Sequence, residues 1–128
     1  MKIDYLKEGS DDCPLIRLYE FSSAEIQKLR QSFESLANAK TERIALDEVI
    51  PVESVDGTQL TFIRAEHNQG VVPSGSLSFD VILSSQGWDR CMGLLEPFCE
   101  KCCDYQCYQW LCDDVGKIPL LLSSDGAW

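Results

Sequence analysis

The apolar positions of this chain follow first the spacing of a strand and then that of a helix. Residues 15–21 alternate with apolar side chains on both faces, which is typical of a central strand. Ser22 and Glu25 have the spacing of a capping box, and Phe21 and Ile26 that of a hydrophobic staple. We therefore predict a helix that begins at Ser22. Its apolar stripe consists of Ile26, Leu29, Phe33, Leu36 and Ala37.

Two more strands are predicted after this helix, over residues 42–50 and 58–67. They are joined through a turn at Asp56-Gly57, a pair that suits a type I′ hairpin. Residues 15–67 then form a β-α-β-β unit. Residues 1–14 are polar and acidic and are predicted to be a loose lead-in. Residues 68–76 contain two Gly and one Pro and are predicted to be a linker.

The second half of the chain repeats this order of elements over residues 77–123. A strand with one buried and one solvent-exposed face comes first, and a helix follows from near Ser85. This helix has Trp88 and Cys91 on its apolar stripe and must kink or restart at Pro97. Residues 105–112 and 117–123 are predicted to form a hairpin around residues 113–116. The second unit is again β-α-β-β.

The two halves also align with each other at an offset of 62 residues. This alignment predicts an internal duplication, and the alternative is a chance similarity between two amphipathic helices capped by Ser. The predicted fold is a single α+β domain, whose strands form a largely antiparallel sheet with both helices on one face. The aligned apolar pairs are Phe21 with Leu83, Ile26 with Trp88, Leu29 with Cys91, Phe33 with Leu95 and Leu36 with Phe98.

Composition narrows the choice of partners and compartment. The 128 residues include 21 Asp and Glu but only 11 Lys and Arg, which gives a formal net charge of −10. Such a charge repels phosphate groups, so we expect neither nucleic acid nor a membrane as a partner, but a protein that is more basic than acidic. No apolar run approaches the length of a membrane span, and the N-terminus has no signal-peptide pattern. We therefore expect a cytoplasmic protein. Nothing in the pattern indicates an oligomeric state.

The cysteines are the densest set of candidate ligands. Cys99 and Cys102 have the C-x2-C spacing of a zinc site, for which Cys103 and Cys107 are the remaining candidate ligands. Because cytoplasmic cysteines are normally reduced and often buried, we favour packed thiols and expect no cofactor. Zinc, and a disulfide or redox use, are the alternatives.

The aromatic residues of the last predicted hairpin suggest a binding surface. Tyr108 and Trp110 share a strand face with Cys112, whereas Cys107 and Leu111 share the other. If the first face is exposed, Tyr108 and Trp110 are candidates for contact with a protein. We find no specific catalytic motif, and the single histidine, His67, has no evident nucleophile to activate. The favoured function is a non-enzymatic protein-interaction module. A thiol site built on Cys99–Cys107 is the alternative, and a small enzyme is the third hypothesis.

Overall fold

A computed structural model describes residues 1–9, 11–99, 108–112 and 118–128. These residues form nine strands and four helices. The strands are β1 (Lys2–Leu6), β2 (Leu15–Tyr19), β3 (Arg43–Ala45), β4 (Glu53–Ser54), β5 (Gln59–Arg64), β6 (Gly70–Pro73), β7 (Ser78–Leu83), β8 (Tyr108–Cys112) and β9 (Leu120–Ser123). The helices are α1 (Ser23–Ala37), α2 (Leu46–Val49), α3 (Ser85–Leu94) and α4 (Glu96–Cys99).

The α+β class is confirmed, but the described strands form two sheets rather than the single sheet that was expected. Sheet A has the order β4-β1-β2-β9-β8, and sheet B has the order β3-β5-β7-β6. Four of the seven strand pairings in these sheets are antiparallel and three are parallel. The prediction of largely antiparallel pairing holds, but the prediction of one sheet is wrong. Strands of the two halves pair with each other, β2 with β9 and β5 with β7, so each of the two sheets combines strands from both halves.

Both halves of the chain contribute the same series of elements. An antiparallel strand pair precedes the long helix and a second antiparallel pair follows it, which gives β1-β2-α1-β3-β5 and then β6-β7-α3-β8-β9. The predicted units correspond to these series without their first strands, β1 and β6. The cap residues of the two long helices, Ser22 and Ser84, are 62 residues apart, as in the self-alignment. A common origin of the two halves stays a prediction.

The predicted start of α1 is confirmed. The Ser22 hydroxyl accepts a hydrogen bond from the Glu25 amide at 3.2 Å, and the Glu25 carboxylate accepts one from the Ser22 amide at 2.9 Å. These two bonds form the complete capping box. The restart at Pro97 is also confirmed, because α3 ends at Leu94 and α4 begins at Glu96. The stripe residues Ile26, Leu29, Phe33 and Leu36 are all fully buried.

A single apolar core receives side chains from both sheets and from both long helices. Three fully buried aromatic rings lie near its centre: Phe33 of α1, Phe62 of β5 and Trp88 of α3. Their centroids are 5.0 to 5.5 Å apart, within the range of favourable aromatic pairs. The Trp88 indole N–H donates to the Ile63 carbonyl at 3.1 Å, so this buried polar group keeps a partner. The core role expected for Trp88 is confirmed.

Two segments that were expected to be irregular contain strands. The predicted lead-in contains β1, in which Ile3 and Tyr5 pack towards the core while Lys2 and Asp4 lie on the other face. The predicted linker contains β6, which pairs with β7. Both expectations failed because these short strands are stabilised by pairing with β2 and β7, which the residue pattern of the segment itself does not record.

The predicted strand over residues 42–50 is shorter than expected. It ends at Ala45, where the helical turn α2 begins, and this turn places Leu46 and Ile50 in the core together. Strands β3 and β5 pair antiparallel, as expected. However, the strand that directly precedes the Asp56-Gly57 turn is β4, and β4 pairs with β1. The expected type I′ hairpin is therefore wrong, since the turn does not join two paired strands.

The Asp56 side chain instead fastens this turn to sheet A. Its carboxylate accepts hydrogen bonds from the Tyr5 amide at 3.0 Å, the Thr58 amide at 3.1 Å and the Thr58 hydroxyl at 2.6 Å. Burial acts to raise the pKa of Asp56, but these hydrogen bonds to the charged form outweigh burial and lower it. The ionised form of Asp56 is therefore stabilised in the folded chain.

Replacement of Ser22 by Ala should lower the free energy of unfolding by about 1 kcal/mol, the usual effect of losing an N-cap side chain. Ser35→Ala, further along α1, should change it by much less. Urea denaturation of the two variants beside the parent chain measures both effects. Equal losses would show that the Ser22 hydroxyl does not cap the helix.

Acidification should destabilise the protein partly through Asp56. Its folded pKa lies below the ordinary value of 3.8, so its contribution is present above that pH and is lost as the pH falls through the folded pKa. Asp56→Asn should lower stability at neutral pH and give a smaller further loss at acid pH. Asp89→Asn, which removes an exposed carboxylate from α3, is the control and should retain the parent curve. Urea midpoints measured from neutral pH to below pH 3.8 test this, and parallel curves for Asp56→Asn and the parent would contradict it.

Candidate functional site

The candidate surface is the outer face of sheet A, which is the face directed away from the core. The core face is formed by residues such as Ile3, Ile16 and Leu120, so the residues that alternate with them point outward. The strand register aligns these outward residues in two rows. One row is Asp4, Arg17, Leu121 and Trp110, and the next is Lys2, Tyr19, Ser123 and Tyr108.

An ion pair fixes the middle of this face. The Arg17 guanidinium donates to both carboxylate oxygens of Asp4, at 3.0 and 2.6 Å. It also donates to the Gly126 carbonyl at 2.8 Å and lies 4.1 Å from the centre of the Tyr19 ring. The hydrogen bond to Asp4 is the main cause of a raised Arg17 pKa. Since its donors are used within the chain, Arg17 organises the face rather than providing an available cation.

The C-terminal segment, residues 124–128, packs against the same face. Gly126 has a φ of +88°, and a Cβ there would lie 3.0 Å from the Arg17 Nη1 atom and 3.2 Å from the Tyr19 ring. Only glycine combines that backbone conformation with so close an approach. Ser123, which is fully buried, holds the segment by donating to the Ala127 carbonyl at 2.6 Å. The segment ends in Trp128, whose indole N–H donates to Asp12 at 2.9 Å.

The aromatic residues predicted to bind a partner lie on this outer face. Tyr108 is 52% exposed, Trp110 is half-buried, and Trp128 is 37% exposed. Tyr108 and Trp110 belong to β8, the last strand of sheet A in the described part of the chain. Exposed carboxylates occur in the segments next to these strands and at the C-terminus, namely Asp11, Asp12, Glu20 and Asp125. Asp12 accepts the Trp128 hydrogen bond and Glu20 pairs with Lys2 of the outer row, so these two carboxylates lie beside the aromatic residues. The binding role of Tyr108 and Trp110 stays a prediction.

The prediction that Cys112 shares a strand face with Tyr108 and Trp110 is wrong. The pairing of β8 with β9 shifts register between Trp110 and Cys112, which interrupts the alternation of side chains. Leu111 and Cys112 are therefore both buried in the core, while Trp110 remains on the outer face. Sequence alternation alone does not reveal such a bulge.

The candidate zinc ligands are only partly within the described residues. Cys99 is half-buried at the end of α4, whereas Cys102, Cys103 and Cys107 lie outside the described residues. In the part of the chain that the structure describes, no three His, Cys, Asp or Glu side chains form a group that could hold a metal. Cys91 is buried against the core as its stripe position predicted, and His67 is exposed.

Comparisons with known proteins give no relative for this chain. It matches no protein-family model, no curated protein and no solved structure. Of the helices in residues 1–9, 11–99, 108–112 and 118–128, none is long and apolar enough to cross a membrane.

We expect native protein to contain no stoichiometric zinc or iron. If the cysteines are packed thiols, Cys99→Ser together with Cys102→Ser should cost a few kcal/mol at most, through poorer packing. If these cysteines instead hold a metal, the double variant should lose most of the free energy of folding, because metal binding and folding are coupled. Native mass spectrometry of untagged protein purified without chelator, followed by urea denaturation of the double variant, measures both. One bound zinc per chain would contradict the expectation.

Proposed function

We propose that this chain is a non-enzymatic protein-interaction module that binds a basic protein through the exposed aromatic residues at the β8 edge of sheet A, because Asp4, Tyr19, Leu121 and Ser123 elsewhere on the outer face are buried. The exposure of Tyr108 at the edge of that sheet is the observation that carries the proposal. Tyr108 is 52% exposed although it pairs within strand β8, and the half-buried Trp110 lies on the same face. Large apolar side chains exposed to this degree are few in the described chain: Val55, Tyr108 and Trp128.

Tyrosine and tryptophan are well suited to such a contact. They present a large rigid surface with few rotatable bonds, and they are enriched among the residues that dominate binding energy. Tyr108 lies in β8 opposite Ser123 of β9. Ser123 is fully buried and accepts a hydrogen bond from the Gly126 amide, so the strand beside Tyr108 is packed into the fold.

The charge of the chain favours a basic partner. The net charge of −10 attracts a cationic protein at a distance, and the exposed Asp11 lies in the segment that precedes β2 on this sheet. Arg17 offers no competing cation because Asp4 neutralises it. Carboxylates around aromatic contacts can pair with lysine and arginine at the rim of an interface, where they chiefly speed association.

Replacement of Tyr108 by Ala should weaken binding about tenfold or more, the effect of losing a central aromatic contact. Tyr108→Phe is the matched control and should retain most of the affinity, because it keeps the ring. The immobilised chain is used to isolate basic proteins from its own cell extract, and calorimetry on each purified partner gives the affinities of the three versions.

The same partner should also associate more slowly as salt rises past the concentration where the Debye length falls to about 10 Å. Stopped-flow measurements over a salt series give these rates. Equal affinities of the Tyr108→Ala and Tyr108→Phe variants, or an association rate that does not change with salt concentration, would contradict the proposal.

A further inference from the structure

A groove of about 180 Å³ lies at the opposite edge of sheet A from Tyr108. It lies among α2, β1, β4 and β5. Among the described residues, four of its lining residues are apolar and one, Asp47, is charged. The apolar ones are Ile3, Leu46, Val52 and Leu60, and the rest are Ser54, Gly57, Thr58 and Gln59. An engineered cavity of about 150 Å³ is large enough to bind benzene, so this groove has room for a side chain.

The walls of the groove are rigid. Ile3, Leu46 and Leu60 are no more than 3% exposed, because each is also part of the core. The rim is held by hydrogen bonds: the Ser54 hydroxyl donates to the Thr58 carbonyl at 2.9 Å, and the Val55 amide donates to the Ile3 carbonyl at 3.2 Å. A ligand therefore meets a groove that is already formed.

The charge around the groove is uniformly negative along the chain that builds it. Residues 44–63 contain four carboxylates, Asp47, Glu48, Glu53 and Asp56, and no Lys, Arg or His. Asp47 is exposed, and among the described residues it forms no ion pair. The nearest strand partner that carries a cation is Lys2, opposite Glu53, and its ammonium group is paired with Glu20 at 2.7 Å.

We propose that this groove binds a lysine side chain of the basic partner. The methylene stem would enter the groove beside Val52, the most accessible of its apolar walls, and the ammonium group would pair with the Asp47 carboxylate. Lysine suits the site better than arginine, because an ammonium group is a point charge that one carboxylate can satisfy, whereas a guanidinium prefers two acceptors in a plane. The existence of such a partner rests on the proposed function, but the groove can be tested without it.

The test is a titration of the ¹⁵N-labelled full chain with N-acetyl-lysine-N-methylamide, followed by NMR. We expect saturable shifts of the amides around the groove, at Val52, Thr58 and Gln59. The norleucine analogue, which has a similar stem without the charge, should bind about fivefold more weakly, as should the lysine compound to the Asp47→Asn variant. Glu48→Gln is the matched control, because it removes a neighbouring carboxylate that does not line the groove, and it should bind like the parent.

Three results would overturn the lysine site: no saturable shifts at the groove, equal affinity for the lysine and norleucine compounds, or tighter binding of the arginine analogue. Because the titration contains no partner protein, its outcome is independent of the Tyr108 variants. If the groove binds lysine but Tyr108→Ala leaves the affinity for the partner protein unchanged, only the aromatic surface would be rejected. If Tyr108→Ala weakens partner binding but the lysine compound gives no saturable shifts, only the lysine site would be rejected.

Discussion

Two parallel strand pairings, β2 with β9 and β5 with β7, are the contacts on which the rest of this structure depends. Each joins a strand from the first half of the chain to one from the second, and together they assemble both sheets. The central aromatic cluster depends on the same arrangement, since Phe33 and Phe62 come from the first half and Trp88 from the second. Each half thus completes its sheets and its share of the core with strands of the other.

What the sequence predicted correctly was local. The start of α1 is encoded by Ser22, Glu25 and an apolar stripe within a few turns, so the pattern was sufficient. The division of strands into two sheets was not predictable, because it depends on pairings between residues about a hundred positions apart, such as Ile16 with Leu120. The short elements β1, β6 and α2 were missed for another reason: each is only four or five residues long and is stabilised mainly by packing on the neighbouring strands β2, β7 and β5, which propensity does not record.

The candidate surfaces show the same division. Alternation along β8 correctly put Tyr108 and Trp110 on one face, but the bulge that buries Cys112 and the packing of residues 124–128 over Arg17 have no local signal. The groove at Asp47 was also missed, although the absence of any basic residue from 44 to 63 was visible in the sequence. Its meaning appears only when the fold puts Ile3 beside Leu46 and Leu60. Sheet A then presents an aromatic surface at one edge and an acidic groove at the other.

The pairing of β2 with β9 also has a consequence for synthesis of the protein. Residues 15–19 leave the ribosome about a hundred residues before the strand at 120–123 that pairs with them. At ordinary elongation rates of about 5 to 20 residues per second, the hairpin of β1 and β2 waits for some 5 to 20 seconds with the inner edge of β2 unpaired. Unpaired apolar edges are sites of aggregation. The nascent chain is therefore vulnerable from the emergence of β2 until β9 is made, and a chaperone that shields β2 during this interval should raise the yield of folded protein.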